Sequence, residues 1–263
     1  MAPCTLGRSI EGQLFPGPQG ITLYITGDST TGINPSGAKT GDKISWADVF
    51  GHHINGNVCK MQNEARPGHS LRDYFHRGIL DGIFRKVRVG DIFLACHGHL
   101  EGTPLTRKAG RARGCLPGFG DQTVTVYDAF FKREEIIHTF DWYLREYIRR
   151  CEDAGAVLVL LSPPVRFSWA NGMVVRTQSL AYAQAMKAVC NSQRARVLDF
   201  GLLTENYLNT LGVERGSVLY LNENERVHTN LLGAQAYANL LAINLTTRFP
   251  EVFLGIFNDL GEK

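Results

Sequence analysis

Apolar-rich runs of five or six residues recur along the chain at 21–26 (ITLYIT), 58–62 (VCKMQ), 91–96 (DIFLAC), 156–161 (AVLVLL) and 196–200 (RVLDF). Each predicts a short strand. The segments between them place apolar residues three and four positions apart, which predicts helices over 46–54, 70–85, 130–153, 178–191 and 230–249. Strands that are apolar at nearly every position, alternating with amphipathic helices, belong in a parallel sheet covered on both faces. The class is therefore α/β. In such sheets ligands bind beyond the carboxyl ends of the strands, so the residues that follow each strand are the first place to look for chemistry.

Composition narrows the function classes. With 44% hydrophobic and 20% charged residues and a net charge of +3, the 263-residue chain is an ordinary globular protein, expected to fold as a single domain (1–263) with residues 1–20 as an N-terminal extension. The charge is too small for the basic face of a nucleic-acid binder, so no nucleic-acid partner is expected. No apolar run reaches membrane-spanning length, so no membrane is expected, and none near Met1 resembles a secretory signal, so the chain reads as cytoplasmic, or as secreted had a signal been removed. Cys4, Cys59, Cys96, Cys115, Cys151 and Cys190 are scattered without paired spacing, as free thiols in a reducing compartment would be. The 28 glycines are the one excess, against a usual share of about 7%, and fit repeated tight crossings between strands and helices.

Two long loops follow strands, 31–43 and 101–125, and the second carries Arg107, Lys108, Arg111 and Arg113. A solvated basic loop is the ordinary reading of such a run. An anion-binding lip is the sharper one.

The first strand runs into Gly27-Asp28-Ser29-Thr30-Thr31-Gly32. A serine at that point is exposed as a nucleophile would be, with backbone N–H groups close by, although Ser and Asp beside glycine are also common turn formers. Near the other end, Glu225-Arg226-Val227-His228 stands just before the last predicted helix. It offers a base, His228, with a carboxylate, Glu225, placed to orient it; a histidine that only caps or packs is the alternative. Other constellations carry less. Gly68-His69-Ser70-Leu71-Arg72 lacks the final glycine of a G-x-S-x-G elbow. The pairs His52-His53 and His97-x-His99 lack the carboxylate or cysteine partners of a metal site, so no metal is expected. No glycine-rich phosphate loop follows a strand, so no nucleotide cofactor is expected.

Taken together, GDST after the first strand, NEARPGHSLR (63–72) after the second, VGDIFLACHGHL (89–100) on the third and the carboxylate-x-x-His block resemble the SGNH (GDSL) hydrolases, and among them rhamnogalacturonan acetylesterases. The resemblance runs from about residue 21 to 249. It implies a three-layer α/β/α, flavodoxin-like fold with a five-stranded parallel sheet, Ser29 as nucleophile, His228 as base, and the N–H groups of Ser29 and Gly68 as oxyanion donors. The implied substrate is a carbohydrate or other small hydroxylated ester. Two positions depart from the pattern: Glu225 stands where the family has Asp, and Gly98-His99-Leu100-Glu101 replaces G-x-N-D, whose Asn completes the oxyanion hole. Leu100 has no side-chain donor, which makes His97 and His99 candidate replacements and leaves open a scaffold turned to other small-molecule chemistry or to binding alone. After the fourth strand, Arg166 and Trp169 are candidate substrate contacts.

Overall fold

The computed structural model describes residues 20–33, 43–107, 112–176, 178–193, 195–222 and 225–258. The N-terminal extension with Cys4, the middle of the 31–43 loop, and Lys108 and Arg111 of the basic segment lie outside the described residues. In chain order the elements are β1 (Ile21–Gly27), α1 (Trp46–Val49) with a 3-10 turn (Phe50–His53), β2 (Cys59–Asn63), α2 (Leu71–His76), α3 (Ile79–Phe84) and β3 (Ile92–Cys96). A hairpin follows, β4 (Thr123–Asp128) and β5 (Arg133–His138), then α4 (Phe140–Asp153), β6 (Val157–Leu161), β7 (Trp169–Ala170), β8 (Met173–Val174) and α5 (Gln178–Gln193). The chain closes with β9 (Arg196–Leu198), α6 (Phe200–Ser217), β10 (Tyr220–Asn222), β11 (Glu225–Thr229), α7 (Leu231–Arg248) and α8 (Pro250–Phe253).

The main sheet is five-stranded in the order β2-β1-β3-β6-β9, and every pairing in it is parallel. Counted along the sheet this is the flavodoxin-like order 2-1-3-4-5, whose topological switch point lies between the first and third strands. Alternation along each strand divides the core. Leu23, Ile25 and Leu94 face α1 and α7, packing with Trp46, Phe50, Tyr237 and Leu241. Tyr24, Phe93, Leu158 and Leu160 face the other way, onto Leu71, Tyr147 and Met186. Burial on both faces is why these strands read as apolar runs and not as polar–apolar alternation. Cys59, Cys96, Cys115, Cys151 and Cys190 are buried and unpaired.

Several predicted elements change. The helix expected over 130–153 begins only at Phe140, where the Thr139 hydroxyl accepts the Trp142 N–H at 3.1 Å as N-cap. Residues 133–138 are instead a strand, with Glu135 and Ile137 buried at every second position. The helix expected over 70–85 is split into α2 and α3 at Gly78, which has φ 65°. The strand expected to reach Phe200 stops at Leu198, because Asp199 caps α6 by accepting the Leu202 N–H. Neither α6, bent at Gly212 with φ 74°, nor the β10–β11 hairpin was expected.

One buried ion pair ties the β4–β5 hairpin and the long loop to α2. Arg72, 1% exposed on α2, donates to Glu135 on β5 at 2.9 Å and to the carbonyls of Leu105 and Gly114 at 3.1 and 3.0 Å. Burial raises the Glu135 carboxyl, but the hydrogen bonds from Arg72, Arg133 and His76 outweigh it and hold it at about 2. Removing one member of such a pair leaves an uncompensated charge inside the protein. Arg72→Met is expected to lower unfolding stability by about 3–5 kcal/mol, read as a drop in the urea midpoint at unchanged slope.

Candidate active site

The turn after β1 is built around a close approach. A Cβ on Gly27 would stand 2.2 Å from Thr31 Oγ1 and 2.5 Å from the Cys96 carbonyl oxygen, so a side chain there would push β1 away from β3. Asp28 then closes the turn on itself. Its Oδ1 accepts the Thr30 N–H and hydroxyl, both at 2.8 Å, and its carbonyl accepts the N–H groups of Thr31 and Gly32 at 3.1 Å. Ser29 sits at the apex. The Ser45 hydroxyl donates to its carbonyl at 2.6 Å, while its N–H has no partner among the described residues.

His228 arrives from the far end of the chain on β11. Thr229 fastens that strand to the segment before α1: the Ile44 N–H donates to the Thr229 carbonyl at 3.1 Å, and Thr229 Oγ1 donates to the Ile44 carbonyl at 2.6 Å. This places His228 Nε2 2.8 Å from Ser29 Oγ. On the other side of the ring, Nδ1 lies 3.1 Å from Glu225 Oε1, near enough for an ion pair with the imidazolium but not aligned as a hydrogen bond. The same oxygen accepts the N–H groups of Val227 and His228, and Oε2 accepts Lys43 Nζ at 2.8 Å. Burial raises the Glu225 carboxyl, but Lys43 and His228 beside it prevail and keep it at about 2. Lys43 was not anticipated. It lies 182 residues from its partner, a separation no local pattern reveals.

The remaining candidates separate. Gly68 has φ 71°, a left-handed conformation that glycine adopts without strain, in the loop between β2 and α2. His99, after β3, is buried, with the Pro164 carbonyl against its ring and Nε2 without a partner among the described residues; burial pushes its pKa down, and the nearby His228 adds to this. Arg166 is half-buried on the loop after β6 and acts electrostatically on His99. Leu100 contributes its N–H to the Glu101 carboxylate at 3.0 Å. His97 and Trp169 pack against other side chains. His97 Nε2 meets Thr26 Oγ1 at 3.3 Å and its ring stands edge-on to Tyr74, with burial pushing its pKa to about 4. The Trp169 ring stacks edge-on against Phe167 in a small satellite core with Tyr220 and Leu208. Of the basic loop, Arg107 is exposed and Arg113 half-buried.

No family model matches the chain. Among curated proteins it is 23% identical over 220 residues to an uncharacterized esterase, YxiM, of Bacillus subtilis, covering 83% of this chain and 50% of that one. It is 22% identical over 223 residues to a probable rhamnogalacturonan acetylesterase, YesY, of the same organism, covering 84% and 90%. The chain thus spans half the length of the first of these relatives and most of the second. The crystal structure of YxiM superposes with a TM-score of 0.68 at 22% identity, over 87% of this chain and 57% of that one. A putative SGNH hydrolase of Slackia heliotrinireducens superposes at 0.52 with 15% identity, over 86% and 99%. This is the SGNH hydrolase fold. An acetylxylan esterase of Geobacillus stearothermophilus shares it, with a TM-score of 0.53 at 12% identity over 87% and 93%. In this SGNH fold Ser29 and His99 both follow strands at the switch point, where ligands of doubly wound sheets bind.

The depressed Glu225 carboxyl has a sign. Its contribution to stability is present above the unfolded carboxyl value of about 4.3 and is lost as the pH falls towards about 2. Lys43→Met removes a lowering contact. The Glu225 carboxyl is expected to titrate at higher pH in that variant, read from side-chain carboxyl carbon shifts in an NMR titration, and acid unfolding is expected to begin at correspondingly higher pH.

Proposed function

We propose that the chain is a serine esterase that removes an acyl group, acetyl in keeping with the names its relatives carry, from a hydroxyl of a carbohydrate or similar polyhydroxylated molecule. The observation that carries this reading is the 2.8 Å contact between Ser29 Oγ and His228 Nε2. A serine hydroxyl is a weak nucleophile until a base within hydrogen-bond reach takes its proton. In this reading neutral His228 takes the proton as Oγ attacks the ester carbonyl, and Glu225 stabilises the imidazolium that forms. The tetrahedral intermediate expels the sugar oxygen, which takes the proton from His228 and leaves as the free hydroxyl. A water, deprotonated by His228, then attacks the acyl carbon, and His228 returns the proton to Ser29 Oγ as the carboxylic acid leaves.

The oxyanion needs donors aimed at the place where charge develops. The unpartnered Ser29 N–H is one, and Gly68 N–H is the other that the SGNH resemblance implies. At the third place, Leu100 has no donor to offer. A missing donor of this kind costs about 2.7–4 kcal/mol of transition-state stabilisation in serine hydrolases, so the hydrolysis is expected to be slow for its class.

Two variants test the reading with p-nitrophenyl acetate. Ser29→Ala is expected to lower kcat by at least about a thousandfold with no change in the thermal midpoint; retained activity would overturn the proposal. Leu100→Asn is expected to raise kcat by about 10²–10³-fold, measured in the same assay. An unchanged rate would mean that another group already fills the third place.

A further inference from the structure

Behind Leu100 lies a buried carboxylate that the mechanism does not use. Glu101 is 1% exposed. Its Oε1 accepts the Leu71 N–H at 2.7 Å and its Oε2 accepts the Leu100 N–H at 3.0 Å. Leu71 is the first residue of α2, three positions after Gly68, whereas Leu100 follows β3. One carboxylate therefore joins two segments that no strand pairing connects at this point: the one that leads out of the Gly68 turn and the one that bears the missing Asn position. Its main chain extends the tie, since the Glu101 carbonyl accepts the Cys115 N–H at 2.9 Å.

We propose that Glu101 is a positioning residue for the esterase reaction, holding the Gly68 loop against the segment after β3 through its two amide contacts, and releasing one of them when it takes up a proton. The proposal rests on the esterase reading for its catalytic consequence and on the two hydrogen bonds for its geometry. A carboxylate accepts through both oxygens. A carboxylic acid turns one of them into a hydroxyl, whose uncharged oxygen is a much weaker acceptor for an N–H and whose proton seeks an acceptor of its own.

The surroundings favour that switch near neutral pH. Burial, the largest influence, raises the Glu101 carboxyl, the Leu71 and Leu100 amides lower it, Asp28 raises it, and the balance lies at about 7. Among the described residues no cation is paired with its charge. His97 from the end of β3 stands 4.0 Å away and burial keeps it neutral. Asp28 from the β1 turn, Cys96 on β3, Cys115 from the long loop and Tyr182 on α5 are its other titratable neighbours, and none is cationic. Arg72 on α2 is held by Glu135. Because the folded carboxyl titrates above its unfolded value, its stabilising effect belongs to low pH and is lost as the pH rises through about 7. Stability and loop order then move in opposite directions with pH.

Amide hydrogen exchange on the wild-type protein tests the clamp without relying on activity. Protection factors of the Leu71 and Leu100 amides are expected to fall as the pH is lowered from about 8.5 to about 5.5, while those of core-strand amides such as Ile25 stay level. Protection that does not change at either amide would overturn the proposal. Glu101→Gln, with one accepting oxygen, is expected to lower kcat by about tenfold or more at pH 8 with KM within about threefold, and to flatten the acid limb of the kcat/KM profile from two protons to one. Wild-type kcat and limb in that variant would also overturn it. A wild-type protein without esterase activity would defeat the functional reading, and the exchange data would still decide the clamp.

Discussion

A parallel sheet buried on both faces leaves polar chemistry only the ends of its strands. Leu23 and Ile25 are committed to one layer and Tyr24 to the other, so β1 has no side chain free until it leaves the sheet at Gly27. The close approach of Gly27 to Thr31 and to the Cys96 carbonyl fixes where that exit occurs, and Asp28 folds the next residues into a turn with Ser29 at its apex. Every other part of the candidate site is placed relative to this turn. The strand order puts the segment after β3 beside it, and both lie at the switch point of the sheet.

Three consecutive residues carry the assembly across the chain. Lys43 holds Glu225, Ile44 joins the backbone of Thr229, and Ser45 holds the carbonyl of Ser29. Ser29 and His228 are 199 residues apart, yet one short segment touches both sides of the pair. The second brace is Glu101, which does for the Gly68 loop what residues 43–45 do for the hairpin. Neither brace is large in energy taken singly, since hydrogen bonds to charged groups contribute about 1.5–3 kcal/mol each. Their value lies in the angles and distances they fix between the segments they join.

The elements that sequence reading recovered are those whose burial is uniform along their length. β1, β3 and β6 are apolar because both faces are covered, and α7, expected over 230–249, spans Leu231–Arg248 behind the Asn230 cap. The elements it missed have mixed signals. β5 reads Arg-Glu-Glu-Ile-Ile-His, charged enough to continue the helix that follows, and only the Arg72–Glu135 pair reveals which glutamate faces inward. α6 carries Gly201, Gly212 and Gly216, which weaken its helical pattern, and Gly201 is there because a Cβ would stand 2.7 Å from the Pro163 carbonyl oxygen. The β10–β11 hairpin is short and polar, yet it carries Glu225 and His228.

Sequence alone therefore determined the layered α/β architecture, and it singled out the serine that follows the first strand and the carboxylate-x-x-His block near the other end. Periodicity and residue chemistry are local properties, and they survive without coordinates. Only the tertiary structure decided which candidates meet: that His228 reaches Ser29, that Lys43 reaches Glu225, that His97 and Trp169 turn into packing clusters, and that a buried glutamate braces two loops. Most of those contacts span tens to hundreds of residues. Their geometry comes from the order in which the strands pair, and no spacing along the chain encodes that order.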